Sequence, residues 1–239
     1  MKTLISLLIL ALMKTFTLST VVPTAPIVVA PVTATTYPNS CRGLLQAVKE
    51  NNYDAVKNLL KNNAPNCSYR GDGEPRSPLG AAAWTGDVAM GELLLRQGAT
   101  VGYHADGDAS ALMIAAGTGH IDFVKLLLAN EANVNHSLRG DGTALIKAAR
   151  SGHLDIVKLL VEKGADVNAV VRGDGTPLIV AVRGGHYAVS DYLLKKGANP
   201  NLGSPGDENP IMHATKLKDA RILKLLLTHN ADVNQAMRL

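Results

Sequence analysis

The sequence predicts an all-α fold, a solenoid of about six helix-turn-helix units with β-hairpin-like tips. Two observations carry this. Residues recur at a fixed step of 33: Gly119-His120, Gly152-His153 and Gly185-His186 form one column, Leu112, Leu145 and Leu178 a second, and Asn135, Asn168 and Asn201 a third. Within each step a polar helix start, an apolar stripe at helical spacing and a terminal glycine follow in the same order. A period of this length means small units that cannot bury an apolar face alone and must stack.

The chain has 239 residues, two cysteines, one Trp and little aromatic content, which suits helices packed through Leu, Ala and Val. Its net charge is +4, but Lys2 and Lys14 lie in a leader without Asp or Glu, so +2 remains beyond it. That balance argues against nucleic acid or an anionic membrane as partner.

Met1-Lys2 followed by the apolar run Leu4 to Met13 has the size and order of a secretory signal and is short for a transmembrane helix. Residues 1–34 are therefore expected to be a signal peptide, with cleavage after Ala30 or Ala34. Residues 35–39 read as a linker and 40–239 as the repeat domain, in units of about 40–69, 70–102, 103–135, 136–168, 169–201 and 202–239. The expected destination is the periplasm or the exterior. A membrane tether through an uncleaved leader is the alternative, and Met13-Lys14-Thr15 echoes Met1-Lys2-Thr3, leaving the start open.

In the first unit, Arg42 to Glu50 and Asp54 to Lys61 pattern as a helix pair with no hairpin before it, as expected of an end unit. The second unit carries extra residues in Gly73 to Pro78, which enlarges its tip. Each later unit repeats one recipe. A Gly-Asp turn reverses the chain, because Gly accepts positive φ. Thr176-Pro177 then opens a helix: the hydroxyl caps free N–H groups and Pro fits the first helical position. Ser77-Pro78 and Asn209-Pro210 do the same, while Ser110-Ala111 and Thr143-Ala144 keep only the cap. Ala82-Ala83, Ala115-Ala116 and Ala148-Ala149 allow close approach of neighbouring units. Ile156, Val157, Leu159 and Leu160 make the apolar stripe of a second helix, which Gly98, Gly164 or Gly197 ends in the left-handed conformation.

The T-P-L, A-A, G-H, L-L, G-A and N pattern over about residues 40–239 resembles the ankyrin repeat. That resemblance implies an L-shaped unit of two antiparallel helices and a hairpin, stacked in a curved array whose concave side binds proteins. The G-D-G form of the tip is similar to that of ankyrin proteins exported by bacteria. The sequence departs from the pattern where a His usually follows T-P-L. Gly80, Met113, Ile146, Ile179 and Met212 stand there, so apolar contact is expected to replace its hydrogen bonds. Glu131 occupies a left-handed glycine position, as do Lys218 and Asn230 in the last unit.

Cys41 opens the first helix and Cys67 follows the second, so both fall at one end of an antiparallel pair. A disulfide is expected, with two buried thiols as the alternative. His120, His153 and His186 match the family's helix-opening His, and neither Cys nor carboxylate accompanies them at ligand spacing, so a structural role is expected and no metal. The Arg-Gly-Asp triplets at Arg70, Arg139 and Arg172 read as a repeated turn. No phosphate-binding, zinc-protease or nucleophile-elbow motif is present, so neither catalysis nor a cofactor is expected.

In ankyrin proteins the tips and the exposed side of the first helices usually make the partner contacts. Carried onto this sequence, those columns hold Trp84, Thr85, Thr118, Lys147, Arg150, Ser151, Arg183, His213 and Lys216, with Arg172 at a tip. Arg150, Arg183 and Lys216 are 33 apart and should stack as a basic column, about 10 Å per step. Such residues also serve simply to solvate a face. The reading that follows is a monomeric, non-catalytic scaffold for a protein with an acidic surface, the candidate contacts being Trp84, Lys147, Arg150, Arg172, Arg183 and Lys216. The alternative is an inhibitor or immunity-type factor that occludes an enzyme or toxin.

Overall fold

The computed structural model describes residues 38–69, 77–105, 108–203 and 209–234. The leader with both cleavage sites, the Arg70 triplet, the Gly73–Arg76 stretch and Gly206-Asp207 lie outside the described residues. The described part contains six helix pairs. In order these are α1 (Cys41–Lys49) and α2 (Tyr53–Leu59), α3 (Pro78–Thr85) and α4 (Val88–Arg96), α5 (Ala111–Thr118) and α6 (Ile121–Ala129), α7 (Ala144–Ser151) and α8 (Leu154–Glu162), α9 (Pro177–Arg183) and α10 (Tyr187–Lys195), and α11 (Pro210–Leu217) and α12 (Ala220–Thr228). The first pair begins and ends within two residues of its sequence-based span. Odd-numbered helices pack on one another in chain order, and α4 to α12 do the same in a second row.

Each first helix starts where a side chain replaces the missing backbone partner. The hydroxyls of Ser77, Ser110, Thr143 and Thr176 and the amide oxygen of Asn209 accept from the N–H three residues on, at 3.0–3.4 Å. Such a cap is worth about 1 kcal/mol. The alanine pairs are wholly buried, as are Ile146 and Ile179 in the column where the family's His is replaced. Two-residue strands β1 (Ser137–Leu138) and β2 (Gly142–Thr143) pair antiparallel as one tip, and Val171 bridges Gly175 at the next.

Two ladders tie unit to unit. Asn135, Asn168 and Asn201 each donate to the carbonyl of the left-handed residue ending the next unit's second helix, at 2.9–3.1 Å. Each also accepts, at 2.7–2.8 Å, from an N–H two residues beyond. In the first unit Cys67 stands in this column, and Asn66 reaches Gly98 and Thr100 instead. Cys67 is joined to Cys41 as a disulfide, with Cα atoms 5.8 Å apart. The third unit departs from the glycine rule as its sequence suggests: Glu131 has φ 64°, where Gly98, Gly164 and Gly197 have 90°, 86° and 89°. Lys218 and Asn230 are also left-handed, at 57° and 63°.

The second ladder is made of histidines. His120, His153 and His186 each direct Nε2 at a carbonyl of the preceding unit's first helix: Trp84 at 3.0 Å, Gly117 at 3.2 Å and Arg150 at 3.0 Å. A carbonyl only accepts, so each Nε2 carries the proton. The left-handed glycine that ends a first helix is needed twice over at Gly86, Gly119 and Gly152, where the next unit's histidine ring packs on it. Gly119 has φ 90°, and a Cβ on it would come within 2.8 Å of the His153 ring. Among the described residues no group of three or more His, Cys, Asp or Glu is gathered as metal ligands. No described helix is long and apolar enough to cross a membrane.

Candidate partner-binding face

The carbonyls held by the histidines belong to a single column of the first helices: Trp84, Gly117, Arg150, and further along Arg183 and Lys216. At Trp84, Gly117 and Arg150 the backbone is thereby held by the following unit. Trp84 is 55 % exposed although it is the chain's only Trp. Arg183 and Lys216 are exposed, as is Arg172 at its tip.

The expected basic column is not uniform. Arg150 donates through Nη2 to Asp174 Oδ1 at 2.9 Å, and Lys147 pairs with Asp141 at 2.8 Å. Both acids are the Asp of a Gly-Asp-Gly tip: Asp141 reaches the first helix of its own unit, and Asp174 that of the preceding unit. Both Arg-Gly-Asp triplets among the described residues thus use their Asp inward, which accounts for the repeat without a displayed tripeptide. The side chain of Asp174 is 5 % exposed and that of Arg150 38 %, so solvent meets the donor side of this pair. Asp174 Oδ2 and Arg150 Nε are buried with no hydrogen-bond partner.

Trp84, Lys147 and Arg150 come together as walls of one groove, floored by Met113, Ile114 and Gly117. Its volume is about 310 Å³, and it is partly open to solvent. Arg172, Arg183 and Lys216 do not line it. Lys216 instead borders a shallower hollow with Ile211, Met212 and Thr215.

Sequence reading missed Gly117 and the two tip acids. Gly117 was reachable by counting 33 from Trp84, but a glycine offers no side chain to nominate. Asp141 and Asp174 were read as turn formers only. Glycine inside a helix destabilises it by roughly 0.5–1 kcal/mol relative to alanine. Nothing in the backbone of α5 requires one at 117, where φ is not positive and a Cβ would meet only Lys147, at 3.5 Å.

A family model described as ankyrin repeats (3 copies) matches residues 44–137, 81–171 and 170–237. No curated protein matches the sequence. Among solved structures, the human ASB11 ankyrin repeat domain is similar in fold: TM-score 0.69 at 24 % identity, over 80 % of this chain and 84 % of that one. Ankyrin repeats are protein-binding scaffolds, and the matched segments cover nearly the whole described array: the chain belongs to the ankyrin-repeat family.

Proposed function

We propose that this protein acts outside the cytoplasm as a non-catalytic scaffold that holds another protein against the ends of its first helices. The observation that carries the reading is Trp84, a large amphipathic side chain left half in water beside a groove, where Trp and Arg dominate binding energy in protein interfaces. Export is supported by the single-charge, apolar start of the chain and by the pairing of its only two cysteines, which suits an oxidising compartment.

The test is to capture partners from the native compartment on the wild-type protein and on Trp84→Ala, and to assay the captured protein's activity. A specific partner whose affinity falls about thirtyfold in Trp84→Ala supports the scaffold reading. A captured enzyme that loses activity when bound points to the occluding inhibitor instead. Equal capture by both proteins removes this face from consideration. The mature N-terminus should follow Ala30 or Ala34, and the isolated protein should contain no free thiol. A mature chain beginning at Met1 or Met13 would overturn export.

A further inference from the structure

Resting on the reading of this face as a binding surface, we propose that the notch over Gly117 anchors a linear segment of the partner that carries one large apolar side chain next to carboxylates. The column through Trp84, Arg150, Arg183 and Lys216 is a row of long side chains, and Gly117 is its one interruption. The interruption has no local cause. The backbone is ordinary helix, and an added Cβ would make only van der Waals contact with Lys147. What the glycine supplies is depth.

The chemistry of the notch is divided. Its floor is apolar: Met113 is 1 % and Ile114 8 % exposed, with Ala109 beside them. One wall is the Trp84 indole, which favours an aliphatic or aromatic guest. The other wall carries the guanidinium of Arg150 beside Lys147, whose charge is taken up by Asp141 in the same wall. Asp174 lies behind Arg150, almost fully buried, so what an arriving segment meets there is guanidinium N–H. Asp174 takes one of the five guanidinium donors and Nε is buried, which leaves the other Nη N–H groups for a ligand. A carboxylate beside the apolar anchor completes that edge, whereas a Lys or Arg there would face like charge.

The experiment uses the chain without its leader and a phage-displayed library of random twelve-residue peptides, with the enriched sequences resynthesised free of Trp. Trp84, as the only Trp, then reports binding by its own fluorescence. The expected result is enrichment of peptides with one Leu, Ile, Met or Phe flanked by Asp or Glu. Binding should weaken at least about tenfold against Gly117→Leu, which fills the notch, and when the peptide acids become amides. Gly117→Ala should weaken binding less while raising Tm, which separates loss of the notch from loss of the fold. Peptides that bind Gly117→Leu as well as wild type but are lost in Trp84→Ala would overturn the notch and leave the binding face standing. Anchors flanked by Lys or Arg would overturn the carboxylate. Failure to enrich any peptide that responds to Trp84→Ala would count against both.

Discussion

The hydroxyl of Tyr53 lies 2.6 and 2.7 Å from the two carboxylate oxygens of Asp87 and shares its proton between them. Asp87 stands in the column that the next three units fill with a histidine, and it also caps α4 by accepting from Met90 N–H at 2.9 Å. The first unit is therefore tied to the second by a phenol–carboxylate bond in place of the imidazole–carbonyl bonds found further along.

That bond makes the joint sensitive to alkali. The hydrogen bond to Asp87, aided by burial and by the charge of Asp87, pushes the Tyr53 phenol up to about 12 from its ordinary 10. Folding then favours the protonated phenol, so the contribution is whole below pH 10 and is lost as pH rises from about 10 to about 12. Tyr53→Phe should be less stable than wild type at pH 8, with the gap closing toward pH 12. Phenolate absorbance should give nearly the same curve for both proteins up to about pH 11 and diverge only above it.

The histidine ladder predicts a cost that reaches the candidate face. His120→Ala removes a bond to the Trp84 carbonyl and ring packing over Gly86. A net loss of about 1–2 kcal/mol is expected, measured by denaturant melts. Because the bond holds the backbone of Trp84, the fluorescence maximum of the folded variant should also shift. An unchanged spectrum would mean that α3 holds its end without help from the next unit.

Glu131 offers the opposite case. A non-glycine residue at φ 64° carries a cost of roughly 1–2 kcal/mol, partly offset in Glu131→Gly by the greater freedom of glycine in the unfolded chain. The net gain should be about 1 kcal/mol, a rise in Tm of roughly 2–4 °C by calorimetry. Asn230→Gly should gain less, since Asn tolerates the left-handed region well.

The repeat architecture was legible because each of its signals is local: a cap, a stripe or a glycine at a fixed offset. Glu131 could be assigned a left-handed φ from Gly98 and Gly164 alone. Pairing across units was not legible. The step of 33 says that Arg150 and Asp174 recur, but only the way the tip folds over the first helix makes Asp174 the partner of Arg150. The basic column was thus read without its acids, when its member Arg150 and the nearby Lys147 are both engaged by tip acids. Gly117 escaped for a simpler reason. Residue-by-residue nomination looks for groups that act, and this one matters through the space it leaves.

The histidine bonds have a consequence for how the face can change. Each imidazole grips a main-chain oxygen, an atom that every amino acid brings whatever its side chain. Trp84, Gly117 and Arg150 are held in the same way although they have nothing else in common. The column behaves as a row of identical sockets: the fastening belongs to the backbone, and the fitting can be exchanged. New recognition can be written there one residue at a time without renegotiating the stack beneath it.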